Sequence, residues 1–365
     1  MYLPSFEAIS RDLAASDAQV QWTLAVFFGG LGLSQAFYGP ISDRYGRMGA
    51  LCFGLTLFAL ASAACALARS IEGLVAWRFV QSIGGCAGIV IARAIVRDRF
   101  DEREAARVFS LLMLVMGLAP ILAPLVGGQI LVHFGWRAIF WTLGAFGLAC
   151  LLAVLLTLGE SLPPERRSTG GLGNALRVYG QLLRDRPFMR YNLSGALVIS
   201  GMFTYIFGSP FVFMGIYGVR PDHFGWLFGL NSLGLIVASQ CNRALLGRAA
   251  GAYILSRALI VTASAGVLLL VTALTGAGGL PGLLLPLFFY ISSLGFVLPN
   301  VVAAALAPQG GNAGSASALL GTVQFGAGAA VGTLLGALGN GTAVPMAGLI
   351  AACGLSALAV HRLAA

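Results

Sequence analysis

Three charged residues stand close together in Gly39-Pro-Ile-Ser-Asp43-Arg44-Tyr-Gly46-Arg47, a short polar run between two apolar stretches. A carboxylate at such a place can pair with an arginine or with a helix N-terminus. A pair that forms in one conformer only biases a two-state equilibrium, which is the chemistry of a gate. Gly39 and Gly46 let the chain turn there. A second candidate is Arg78, embedded in an apolar run. Burying an arginine in a bilayer costs at least ~2.5 kcal/mol on insertion scales, so an embedded one marks a functional site by default. Gln81 lies one turn further along the same face. Of the polar groups within or near the ends of spans (Gln35, Asn192, Asn231, Gln240, Asn300 and Gln324), Gln35, on the stretch that enters the turn, is the best candidate for a cavity wall. From residue 19 onward no carboxylate lies deep in an apolar stretch; Glu72 and Asp98 sit at ends.

Other chemistries find no foothold. No HExxH, GxSxG or P-loop pattern occurs. Cys52, Cys65, Cys86, Cys150, Cys241 and Cys353 are scattered in or beside apolar segments, without CxxC spacing. The expectation is a protein that is not an enzyme and has no metal, cofactor or disulfide framework. No polar region is large enough for a nucleotide-binding domain.

The elements that must hold these residues follow from composition. The chain is 58% hydrophobic and only 10% charged, with mean hydropathy +0.88. A bilayer leaves backbone groups no outside partner, so repeated apolar stretches of about 20 residues predict helical spans. Eleven complete spans are expected, over 19–41, 49–69, 73–96, 106–132, 136–158, 188–216, 223–246, 251–274, 280–304, 313–337 and 342–362. The 50 glycines suit close helix packing. Residues 159–187 are a polar, partly amphipathic linker, so the expected units are 1–158, 159–187 and 188–365.

The net charge of +9 comes from arginine alone, since lysine is absent. The arginines cluster in a few connections, a pattern that argues against nucleic acid and for cytoplasmic loops. If the 42–48 turn faces the cytoplasm, 16 arginines lie on that side and only Arg11, Arg69, Arg137 and Arg220 on the other. The linker and the C terminus are then cytoplasmic.

Four patterns in order carry a family resemblance. Met1-Tyr-Leu-Pro4 with an Ile-x-x-Asp stretch is similar to the outer end of a first helix, and Gly39–Arg47 to a loop between helices two and three. Arg78-Phe-Val-Gln81-Ser-Ile-Gly84-Gly85 is similar to an RxxQGxG pattern in helix four, with Ser82 for the usual Gly. Ala119-Pro-Ile-Leu-Ala123-Pro124-Leu-Val-Gly127-Gly128 is similar to an antiporter pattern in helix five. Together they resemble the major facilitator superfamily, and within it the bicyclomycin-resistance (Bcr/CflA) branch of drug/proton antiporters. Trp136-Arg137-x-Ile-Phe140 and the Leu-Pro-Pro-Glu-Arg-Arg linker are also typical of that branch.

The resemblance implies an all-α, polytopic fold of two six-helix bundles around a cavity, with alternating access by rocking. It implies a gating role for Gly39, Asp43, Arg44, Gly46 and Arg47, and proton coupling for Arg78 near the cavity. It implies that the helix holding Pro120, Pro124, Gly127 and Gly128 seals the cavity against leak. Phe203, Tyr205, Phe207, Tyr290 and Asn300 fall on spans that would line it. The implied function is efflux of small, apolar drugs or metabolites in exchange for protons, by a monomer in a bacterial inner membrane. The family's first helix begins well before Met1 and carries an Asp ahead of its Tyr-Leu-Pro stretch. The expectation is therefore a partial first helix and weakened proton coupling. A metabolite or nutrient uniporter on the same fold is the alternative, because it needs no acid; a non-transporting receptor or scaffold is a third.

Overall fold

The computed structural model describes residues 1–100, 102–167 and 171–363; some side chains within 97–121, 166–175 and 310–313 lie outside the description. Among the described residues every regular element is helical. A 3-10 turn, Leu3–Ser5, leads into the short α1 (Phe6–Asp12). The membrane helices follow: α2 (Asp17–Tyr45), α3 (Arg47–Ala66), α4 (Ile71–Arg99), α5 (Glu102–Phe134) and α6 (Trp136–Thr157). The linker contains α7 (Gly171–Leu182). Then come α8 (Arg186–Ser209), prolonged by a wider turn to Ile216, α9 (Pro221–Leu245), α10 (Gly251–Thr275), α11 (Gly279–Leu306), α12 (Ala313–Leu338) and α13 (Val344–Leu363). Ten of these helices are long and apolar enough to cross a bilayer, and α5 is a further helix of 33 residues. They coincide with the eleven expected stretches.

Local chemistry sets the helix ends. Ser16 accepts from Gln19 N while Gln19 Oε1 accepts from Ser16 N, a reciprocal cap that starts α2. Ser70 caps α4 and Asp185 caps α8, each accepting a backbone N–H three residues on. Gly46, at φ +100°, and Gly276, at φ +68°, close α2 and α10 in backbone that favours glycine.

Small residues decide how closely the helices approach. In the first half α3 packs on α4 and α6, and α2 on α4; in the second α10 packs on α11 and α13, and α9 on α11. A Cβ on Gly84 would stand 2.4 Å from the backbone nitrogen of Phe58 and 2.6 Å from Gly54 O. The α3–α4 contact is therefore backbone against backbone. The halves meet along two seams, α2 on α12 and α5 on α9. Gly32 and Gly321 allow the first, facing Phe325 and Gln35; Gly128 and Gly225 allow the second, facing Pro221 and Leu125.

Gly84→Ala is expected to force α3 from α4 and cost about 1–3 kcal/mol by overpacking. A fall in melting temperature of the purified protein checks this, with Gly88→Ala, which meets open space, as the neutral control.

Candidate functional site

The turn after α2 is held by one buried cation. Arg47 opens α3, and its side chain is only 8% exposed, so its charge requires partners nearby. Its Nη1 lies 2.5 Å from Asp43 Oδ1 and donates to Ser42 Oγ at 2.7 Å. Its Nε donates to Asp98 Oδ2, near the end of α4, at 2.9 Å. Ser161 Oγ donates to the same Asp98 oxygen at 3.2 Å.

Glu160, just past α6, completes the arrangement. Its Oε1 accepts from Arg47 N at 2.9 Å and from Ser161 N and Leu162 N, each at 3.0 Å. Its Oε2 accepts from Met48 N at 3.3 Å. A carboxylate thus sits on the N-terminus of α3, where the helix dipole favours it. Burial pulls the Glu160 carboxyl up, but these backbone donors outweigh it and hold it below its ordinary value. Gly46 sits at φ +100°, which strains any residue with a Cβ, and a Cβ there would also stand 2.5 Å from Glu160 Oε2. Arg99 also donates to Gly159 O. Four separate pieces of chain are locked together: the end of α2, the start of α3, the end of α4 and the start of the linker. Gly39 meets open space, Asp43 is half exposed, and Arg44 is exposed, lying over the Tyr45 ring.

A smaller staple holds the opposite end. Asp12 accepts from Arg137 Nη1 at 2.5 Å and from Trp136 Nε1 at 3.1 Å, while Arg137 also donates to Ala68 O at 3.1 Å. The arginine holds the Asp12 carboxyl below its usual range despite some burial.

Arg78 is 4% exposed and its surroundings are unlike those of Arg47. Its Nη1 donates to Gln81 Oε1 at 2.6 Å, Gln81 Nε2 donates to Ser62 Oγ at 2.7 Å, and Ser62 passes the chain to Phe58 O. The guanidinium otherwise faces rings, 4.0 Å from the centroid of Phe27, 4.6 Å from Tyr2 and 5.7 Å from Phe140. Among the described residues no carboxylate pairs with it, and its Nε has no partner. The rings supply cation–π attraction in place of an acid.

The aromatic candidates divide between two places. Phe203 and Phe207, one turn apart on α8, meet Phe28 of α2 at 4.5 and 5.7 Å, and Phe203 meets Phe325 of α12 at 5.7 Å. This cluster bridges the two halves. Tyr205 lies two residues from each and so faces away, stacked on Phe228 with Asn231 Nδ2 donating to its hydroxyl. Tyr290 donates to Val198 O, and Asn300 donates to Asn242 Oδ1, both within the second half. Gln35 is wedged against Gly321, and its Oε1 lacks a partner among the described residues. Pro124, Gly127 and Gly128 are buried on α5; the side chain of Pro120 lies outside the described residues.

Sequence reasoning missed Asp98 and Glu160 as partners of Arg47, and Phe28 and Phe325 as partners of Phe203. Glu160 offered one signal, as the first charge after an apolar span. The partnerships themselves join positions 51 to 113 residues apart for Arg47, which no local pattern reveals.

In a double-mutant cycle of Arg47→Leu and Asp98→Asn, a coupling of about 0.5–3 kcal/mol is expected from thermal unfolding. Glu160 titrates below its unfolded value of 4.5. Its contribution is therefore full above that pH and is lost as the pH falls through the lowered value. The melting-temperature gap between wild type and Glu160→Gln should hold steady at neutral pH and close in acid.

Known proteins place this architecture. The chain is 41% identical over 355 residues to an uncharacterized MFS-type transporter, YdgK, of Bacillus subtilis, covering 96% of this chain and 87% of that one. It is 33% identical to a bicyclomycin resistance protein homolog of Haemophilus influenzae, covering 97% of this chain and 88% of the relative. It is 30% identical to the multidrug resistance protein MdtL of Escherichia coli, covering 98% and 89%. The partially occluded inward-open xylose transporter XylE of E. coli shares the fold, with TM-score 0.75 at 15% identity over 98% of this chain and 92% of that one. The family profile of the Major Facilitator Superfamily matches residues 1–333, and the chain belongs to that superfamily of membrane transporters.

Proposed function

We propose that this transporter exports small, mostly apolar drugs or metabolites in exchange for protons, as a Bcr/CflA-type antiporter. The observation that carries the reading is the phenylalanine cluster of Phe28, Phe203, Phe207 and Phe325, which lies where the two halves meet. Rings without fixed polar partners suit apolar cargo of varied shape. The drug-resistance names of two relatives support the same substrate class. In this reading 1–158 and 188–365 rock against each other across the 159–187 linker. The Arg47 network belongs to the conformer closed at its own end, which faces the cytoplasm together with the C terminus. The membrane is a bacterial inner membrane and the working unit a monomer. Arg78, held by Gln81 and rings, tunes proton movement. A proton crossing 100 mV supplies about 2.3 kcal/mol, enough to drive useful accumulation.

One observation favours a second reading. Arg78 has aromatic neighbours where coupling by direct exchange would use a carboxylate. A uniporter on the same fold needs no such acid.

Efflux of a lipophilic fluorescent dye from proteoliposomes under an imposed pH gradient separates the two. Antiport gives gradient-dependent efflux and counter-movement of protons on dye addition. Gradient-independent flux moves the assignment to uniport, and no flux of any apolar probe sinks both. Phe203→Ala and Phe207→Ala should each lower the rate about three- to tenfold.

A further inference from the structure

Pro40 lies inside α2, within the gate turn's own motif. A proline has no N–H, so the carbonyl four residues earlier loses its helical partner. That carbonyl belongs to Ala36. Tyr179, on linker helix α7, donates its hydroxyl to Ala36 O at 3.1 Å. The linker thus supplies, across 143 residues, the donor that the proline withholds.

The rest of α7 bridges the seam. Val178, Tyr179 and Leu182 are buried, packed with Ala316, Leu319 and Leu320 of α12 and with Phe188 of α8; Ala36 of α2 borders the same cluster. The α2–α12 seam beneath is closed by Gln35 against Gly321 and by Thr322 Oγ1 donating to Gly32 O at 3.0 Å. The far end of the linker is tied down as well, since Asp185 caps α8 and accepts from Gln309 Nε2 at 3.1 Å. Burial pushes the Tyr179 hydroxyl above its usual range, so it remains a neutral donor at physiological pH.

We propose that α7 is a latch across the α2–α12 seam, keyed by the Tyr179 hydroxyl in the carbonyl that Pro40 leaves free. Separating α2 from α12 at this end must either break that bond or strip Val178 and Leu182 from Leu319 and Leu320. The linker therefore helps set how often the seam opens, in addition to tethering the halves. The proposal rests on the alternating-access reading only for its consequence in transport; the latch itself is a property of the resting protein.

Hydrogen–deuterium exchange on the full chain in nanodiscs, without cargo, tests it. Tyr179→Phe keeps the ring and its packing while removing one hydrogen bond, a change of about three- to tenfold in an equilibrium. Exchange should accelerate by that factor in 176–182 and 314–322, and stay unchanged in α10. Pro40→Ala restores a helical N–H to Ala36 O, so in that background Tyr179→Phe should change exchange less than twofold. Unchanged exchange in Tyr179→Phe overturns the latch, and so does an equal effect in both backgrounds. Leu182→Ala removes packing alone and should loosen the same two segments whether or not Pro40 is present. If the variants show this exchange pattern while the wild-type protein carries no cargo, the latch stands and the functional reading fails.

Discussion

A guanidinium kept from water must find its charge partners in the protein, and Arg47 organises one whole end of the molecule on that account. Its backbone and side chain draw in Asp43, Asp98 and Glu160 from three separate stretches of chain. Because Arg47 itself is buried, a missing partner is costly there even though Asp43 is half exposed. The ends of α2, α3 and α4 and the start of the linker are therefore committed to one arrangement together. Such a network is all-or-none in character, which suits a switch between two packings better than a graded hinge.

Close packing makes that commitment mechanical. Gly84 against the backbone of α3 and Gly128 against Pro221 bring helices too near for sliding. Motion is then confined to whole helices and groups of helices, and it must be paid for at their ends. The Asp12–Arg137–Trp136 staple does at one end, on a smaller scale, what Arg47 does at the other. The α2–α12 seam lies between, closed by small residues and one threonine bond.

Arg78 shows a different solution to the same electrostatic problem. Among the described residues its polar partner is Gln81, and aromatic faces stand against the guanidinium. Quadrupole attraction steadies a cation without fixing it as a salt bridge does. Among the described residues Arg78 Nε has no partner, whereas Arg47 already meets two carboxylates. The two arginines occupy the same half of the protein and are partnered in different ways, one by carboxylates and one by an amide and rings.

Composition and the spacing of charges by themselves determined the helical spans and marked the polar run Gly39–Arg47, although the helix α2 continues through it to Tyr45 and only Gly46 breaks the chain's helical path there. These depend on local quantities: apolar length, the dipole and sterics of a turn, and the cost of a buried charge. The Arg78–Gln81 contact was legible for the same reason, as neighbours one helical turn apart. What only the tertiary structure decided lies across long separations. Glu160 reaches Arg47, Tyr179 reaches the carbonyl freed by Pro40, and Phe28 meets Phe203. Periodicity also could not sort Phe203 and Phe207 from Tyr205, because apolar residues stand on every face of α8 and only its neighbours show which face meets the other half. A sequence records which groups need partners; the packing of helices chooses the partners.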